Sequence, residues 1–324
     1  MVPSLSSRGF DIRQDGLSEV AAWLPAVQDQ LTDSLLVSAY DLHYGLLPDV
    51  HDFLTGNHWQ TLYATPEVLI VDSGGYELGT SWDGSEVRRG ERQPNAFSRT
   101  AYVAVVERLP TDQNIVLVTW DHVATASDRL SYKEQIEAAS VLKRDNPRVL
   151  IDCLVKPQEG ELYVNVDALA PEMNGLRSVD FIGLTEKELG DTLFDRALTL
   201  ARLRAALDSR DISAPIHVFG ALDPLFMRLY FDCGAEIFDG LTWLRYGLAG
   251  GRSVYREVSS LLDGDVHYSE PIRRARQQAE YLRGLRALQN ELRSSLESKP
   301  AQGGVPVSAE TVSTVIQNVL SKFA

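Results

Sequence analysis

Glu67-Val68-Leu69-Ile70-Val71-Asp72-Ser73-Gly74-Gly75-Tyr76-Glu77 is the stretch whose reading decides the fold. Four apolar residues, three of them β-branched, predict a short strand buried on both faces, the kind found in parallel sheets covered by helices. An acid, a hydroxyl and two glycines follow at its carboxyl end. Glycine lacks a Cβ, so the backbone can turn sharply there and approach a ligand closely. In an α/β protein that end of the strands is where ligands bind. A plainer role is equally open: Asp72 and Ser73 cap the next segment and the glycines make the turn.

Working outward, runs of the same character recur at 34–40, 115–121, 149–155, 180–184, 216–220 and 236–240. Helical spacing fills gaps between them at 95–109, 132–144, 191–207 and 224–233. Strands alternating with helices predict a parallel sheet. With no dinucleotide-type glycine fingerprint, a closed (β/α)8 TIM barrel over residues 1–271 is expected rather than an open sheet. Residues 272–324 then read as C-terminal helices. The first is long and amphipathic, with Ile272, Ala275, Ala279, Leu282, Leu285 and Leu288 on one side. A linker, 299–306, leads to a last helix from about Ser308 to Phe323, with Ser308 as N-cap, which docks on the barrel or on a second subunit.

Composition narrows the function classes. No run approaches the roughly 20 apolar residues of a membrane span, and the N-terminus lacks an apolar signal core, so a cytoplasmic protein with no membrane partner is expected. Two cysteines, Cys153 and Cys233, allow neither a disulfide framework nor a four-cysteine zinc site. The net charge of −14 argues against broad, non-specific nucleic-acid binding, because phosphates need a positive surface. A local basic groove is still possible: Arg245, Arg252, Arg256, Arg273, Arg274, Arg276, Arg283, Arg286 and Arg293 cluster late in the chain. The competing reading of 273–293 is a solvated helix face laced with glutamates.

Polar residues at strand ends of a barrel converge on one cavity. Asp72, Asp121, Gly183 and Asp239 each close a predicted strand, and Phe219-Gly220 closes another. Carboxylates gathered there can divide nucleophilic and proton-transfer roles if their surroundings separate their pKa values. No histidine cluster accompanies them, so no metal site is expected. Residue types and spacing reach a barrel enzyme with a carboxylate-lined pocket, and stop there.

Asp72-Ser73-Gly74-Gly75-Tyr76-Glu77 resembles the Asp-Ser-Gly-Gly-Phe/Tyr-Gln signature of the tRNA-guanine transglycosylases and their 7-deazaguanine DNA-modifying relatives. His217-Val218-Phe219-Gly220-Ala221-Leu222-Asp223-Pro224 and Cys233-Gly234-Ala235-Glu236-Ile237-Phe238-Asp239 resemble two further elements of that family, in the same order. The segment from Asn95 to Asp121 is similar to the family's helix and strand ending in a substrate-binding aspartate. The resemblance runs from 34 to 256, and more weakly over 272–293.

This resemblance implies exchange of guanine for a 7-deazaguanine base in tRNA or DNA. Asp239 matches the nucleophile that forms a covalent glycosyl-enzyme at the ribose C1′. Asp72 matches the general acid/base. Ser73 and Gly74 belong to the same signature and would line the substrate. Asp121 matches the residue that reads the base's amide edge, and Tyr76 and Phe219 the rings that sandwich it, with Gly220 beside them. Gly183 and Leu184 match backbone groups that bind the base's carbonyl and 7-substituent, with Glu188 behind. Arg245 would hold a phosphate or neighbouring nucleotide, and the target nucleotide must leave its stack.

The chain also departs from the family. The Cys-x-Cys-x-x-Cys…His zinc segment is absent, so no cofactor is expected and nucleic-acid docking must differ. Lys156 stands where the family has a base-binding glutamine, free to pair with Asp121, to recognise an anion or to face solvent. Glu77 replaces a glutamine. Two further readings follow: N-glycosyl transfer on a small nucleoside, or a non-catalytic partner subunit that binds RNA. A homodimer or heterodimer is compatible with either.

Overall fold

In the computed structural model, which describes residues 1–8, 10–79, 93–122, 128–298 and 308–321, eight parallel strands follow one another in chain order around a closed barrel. They are β1 (Val2–Leu5), β2 (Ser34–Ser38), β3 (Val68–Asp72), β4 (Ile115–Val118), β5 (Leu150–Leu154), β6 (Phe181–Thr185), β7 (Ile216–Phe219) and β8 (Ile237–Gly240). With its flanking helices this is a (β/α)8 TIM-barrel fold, as the alternating pattern predicts. The seven expected strands are all present. β1 is the addition: Val2-Pro3-Ser4-Leu5 holds too few apolar residues to signal a strand. It is fixed by pairing, Ser4 with Leu36 and Leu5 with Val37, and by the buried indole N–H of Trp243 donating to the Ser4 carbonyl at 3.0 Å.

The helices are α1 (Ala39–Tyr44), α2 (Val50–Thr55), α3 (Gly75–Leu78), α4 (Arg99–Val106), α5 (Tyr132–Asp145), α6 (Val166–Leu169), α7 (Leu193–Asp208), α8 (Pro224–Asp232), α9 (Thr242–Arg245), α10 (Arg256–Leu262), α11 (Glu270–Ser298) and α12 (Ala309–Ser321). Their starts are written in the sequence. Ser131 and Glu134 close a full capping box on α5, and Thr192 and Asp195 do the same on α7. Asp223 caps α8 ahead of Pro224, whose missing N–H costs nothing at the first helical position.

Two compact units divide the chain. One holds residues 2–122 and 240–286. Its strands β2 and β3 run in register from Ser34–Val68 to Ser38–Asp72, and β3 pairs with β4 through Val71 and Leu117. A hairpin of β9 (Gly247–Ala249) and β10 (Arg252–Val254) turns on Gly250 and Gly251. Both have positive φ, as a two-residue hairpin turn demands.

The other unit holds residue 1 with 123–239 and 287–324. There Leu154 pairs with Gly183, Gly183 with His217, and Val218 with Phe238. The terminal helix α12 buries Val312 and Val319 and packs on α7 and α8, so the tail docks on its own chain. Ser308 accepts from the Thr311 N–H at 3.2 Å, the N-cap expected of it. The linker at 299–306 lies outside the described residues. Along α11, Leu282, Leu285 and Leu288 are buried as the periodicity predicts, whereas Ile272 is 50% exposed and its first turn carries Glu270–Arg273 and Glu270–Arg274 ion pairs instead.

Candidate functional site

Asp72 closes β3, and the chain turns at once into α3. Gly74 takes φ +95°, where a side chain would be strained, and its N–H donates to Asp72 Oδ2 at 3.2 Å. A Cβ on Gly75 would come within 2.7 Å of Asp121 Oδ1, so the second glycine is what lets this backbone close on Asp121. Ser73 completes the contact, its hydroxyl donating to Asp121 Oδ1 at 2.5 Å. Asp72, Ser73, Gly74 and Asp121 thus form one group. Asp121 lies beyond the end of β4 at Val118 rather than on the strand. The apolar run continues to Trp120, but that ring is recruited sideways, its centroid 5.8 Å from those of Phe97 and Tyr102. Burial, with the nearby charges of Asp72 and Asp121, pushes the Tyr102 phenol well up.

Tyr76 is held at three points in this unit. The Arg8 guanidinium lies 4.3 Å above its ring and also donates to its carbonyl. Arg245 donates to its hydroxyl at 2.9 Å. Arg245 is only 7% exposed, so it is fastened to the predicted stacking ring rather than extended to solvent. Glu77 is buried and accepts from the hydroxyls of Ser38, at 2.6 Å, and Ser6. A carboxylate that needs only donors is satisfied there.

In the other unit Asp239 sits on β8, 6% exposed. Its Oδ1 accepts from the Gly220 N–H at 3.0 Å and lies 3.4 Å from His217 Nε2. Gly220 has φ +82°, the left-handed conformation that turns its N–H toward the carboxylate. On its far side, His217 Nδ1 lies 2.6 Å from Asp152 Oδ2, and both side chains are buried. Burial opposes a charged ring, yet Asp152, its hydrogen bond and Asp239 outweigh it and hold His217 up to about 9. Burial raises the Asp152 carboxyl as well, so the pair binds its proton more tightly than either group does in water.

Gly183 is what permits this pair. β6 runs between β5 and β7, and a Cβ at 183 would lie 2.6 Å from Asp152 Oδ1 and 2.7 Å from the Phe219 ring. The Gly183 carbonyl accepts from the Val155 N–H at 2.8 Å, and Leu184 is fully buried in register with Val218. Phe219 stacks on His217, ring centroids 3.9 Å apart. Both predicted stacking rings are therefore covered on one face by a neighbouring side chain, Tyr76 by Arg8 and Phe219 by His217.

Lys156 follows β5 and pairs with Glu188 at 2.7 Å, its ammonium also donating to Thr185 at 3.1 Å. Gln135 holds its backbone at both the N–H and the carbonyl. Of the late arginines, Arg273 and Arg274 pair with Glu270, Arg276 with Asp265, and Arg286 donates to Gln30 and Thr32.

Asp152, His217 and Arg8 were not among the residues expected at the site. A signal existed for two of them: Asp152 interrupts the apolar run 149–155, and His217 interrupts 216–219. A polar residue in the middle of a buried strand needs a partner. Cys153 and Cys233 are buried thiols, and burial pushes Cys233 up to about 12. Among the described residues no group of three His, Cys, Asp or Glu side chains is placed to hold a metal ion, and no helix is long and apolar enough to cross a membrane.

No protein-family model matches the chain, and no curated protein matches it. Among solved structures it is similar to QR15, an aldolase, at 10% identity with a TM-score of 0.43, over 81% of this chain and 96% of that one. At that identity the likeness bears on neither reaction nor substrate.

Proposed function

We propose that the protein is a pentosyltransferase that exchanges guanine for a 7-deazaguanine base in tRNA or DNA through a glycosyl ester on Asp239. The observation that carries the reading is the setting of Asp239: a strand-borne carboxylate whose Oδ1 receives the Gly220 N–H and faces His217. The Gly220 N–H fixed on one oxygen holds the other edge of the carboxylate in a set direction, as attack on a sugar carbon requires. Asp72, hydrogen-bonded into the Ser73-Gly74-Gly75 turn, serves as general acid to the departing guanine and base to the entering one. Asp121, fixed by Ser73, reads the base's polar edge, and Tyr76 and Phe219 are its stacking surfaces.

The net charge of −14 and the missing zinc segment favour a second substrate within the same chemistry, a free nucleoside in place of a polymer. Retention of both Asp72 and Asp239 speaks against a non-catalytic partner subunit, which needs neither. Incorporation of radiolabelled guanine into tRNA, DNA or guanosine tests the proposal, since guanine-for-guanine exchange requires no knowledge of the natural incoming base. Label retained by the wild-type chain's product and lost with Asp239→Ala and Asp72→Ala supports it. No incorporation into any of the three defeats it.

A further inference from the structure

Asp152 has no part in the exchange as written above, and His217 enters it only as the group facing Asp239 Oδ1. We propose that the Asp152–His217 pair is a positioning device that keeps Asp239 a good leaving carboxylate and so keeps the covalent intermediate short-lived; this rests on the reading of Asp239 as nucleophile. Among the described residues, the charged groups beside the imidazole are Asp152 from β5 and Asp239 from β8. From β6 comes only Gly183, and from β7 itself the Phe219 ring.

In the first half-reaction the bond from C1′ to the guanine nitrogen breaks, its electron pair leaves with the base, and the base takes a proton from Asp72. A carboxylate oxygen of Asp239 bonds to C1′, and a negative carboxylate becomes a neutral ester. In the second, the entering base loses its ring-nitrogen proton to Asp72 and bonds to C1′, and the pair of the C1′–O bond returns to Asp239. A cation 3.4 Å from Oδ1 attracts the carboxylate and not the ester. It therefore opposes accumulation of the ester and favours its opening. Asp152 is needed because a buried imidazole without a counter-charge gives up its proton. The raised affinity of His217 for its proton, to about 9, agrees with a cation at neutral pH.

The test uses the full chain and two readouts. The first is a ¹⁵N NMR titration of His217, which needs no substrate. The wild-type ring should stay protonated to about pH 9, and Asp152→Asn should bring it down towards the ordinary histidine range, about 6.5. The second is the fraction of enzyme trapped as ester during guanine exchange with a tRNA transcript, single-stranded DNA and guanosine as probes. That fraction should rise about tenfold or more in Asp152→Asn at pH 8, and should rise in the wild type itself as pH passes about 9. The wild-type pH series keeps the test decisive if Asp152→Asn folds poorly. A His217 that titrates at its ordinary value, or an ester fraction indifferent to pH and to Asp152→Asn, overturns the proposal. A protonated His217 with no ester from any probe overturns the transglycosylase reading and this role with it, leaving the buried ion pair alone.

Discussion

His217 Nδ1 lies 2.6 Å from Asp152 Oδ2, although the two residues are 65 positions apart and a whole strand, β6, separates theirs. They meet because position 183 has no side chain. Two neighbouring acids raise the affinity of the buried imidazole for its proton, which makes the pair a stability element with a defined pH window.

His217 is raised in the folded protein, from an ordinary 6.5 to about 9, so the native state binds the proton more tightly than the unfolded chain does. The stabilisation from His217 is full below about pH 6.5 and is lost as pH rises through about 9. Denaturant unfolding from pH 6 to 10 should show this decline in the wild type and a much flatter profile in a His217→Gln, Asp152→Asn double variant, in which neither side chain titrates.

Gly183→Ala places a methyl 2.6 Å from Asp152 Oδ1 and 2.7 Å from the Phe219 ring. Both neighbours are part of a packed interior, so the expected cost is roughly 1 to 3 kcal/mol, with His217 losing part of its raised proton affinity. Thermal unfolding and a His217 titration on the same sample check the two effects together. A variant as stable as the wild type would mean that the pair does not depend on the gap over β6.

The barrel was legible because its strands are apolar runs ending in acids or glycines, and Val68–Asp72 is the clearest of them. β1 was not, since Val2-Pro3-Ser4-Leu5 becomes a strand through its partners rather than its own pattern. The glycyl turn at 73–75 and the position of Asp239 could be read locally. The fastening of Tyr76 by Arg8 and Arg245, from residues 68 and 169 positions away, could not, nor could the pairing of Lys156 with Glu188. Such contacts depend on which strands the fold brings side by side, and that information is not in any one window of sequence.

Tyr76→Phe removes the acceptor of the Arg245 bond and leaves the ring under Arg8. Since Arg245 is buried, the loss should be about 1 to 3 kcal/mol, the cost of a charged donor left without one partner. Tyr76→Leu should in addition raise KM for the base, because the stacking face goes with the ring. Comparing unfolding and KM across the two variants separates the hydroxyl's role from the ring's.

Lys156→Gln removes the cation paired with Glu188, a mostly buried contact, so stability should fall by roughly 1 kcal/mol. If Lys156 and Glu188 border the base, as the proposed function requires, the preference among guanine and 7-substituted deazaguanines should change. Competition between labelled guanine and unlabelled bases measures it, and an unchanged preference would put the pair outside the base's surroundings.

Intact-mass measurement of the chain, quenched in acid during incubation with tRNA, DNA or guanosine, tests the central claim most directly. The account predicts a glycosylated species mapped by peptide sequencing to Asp239, absent from Asp239→Ala and consumed when a free base is added. A wild-type chain that stays at its unmodified mass with all three substrates, or an adduct mapped to any other residue, contradicts it.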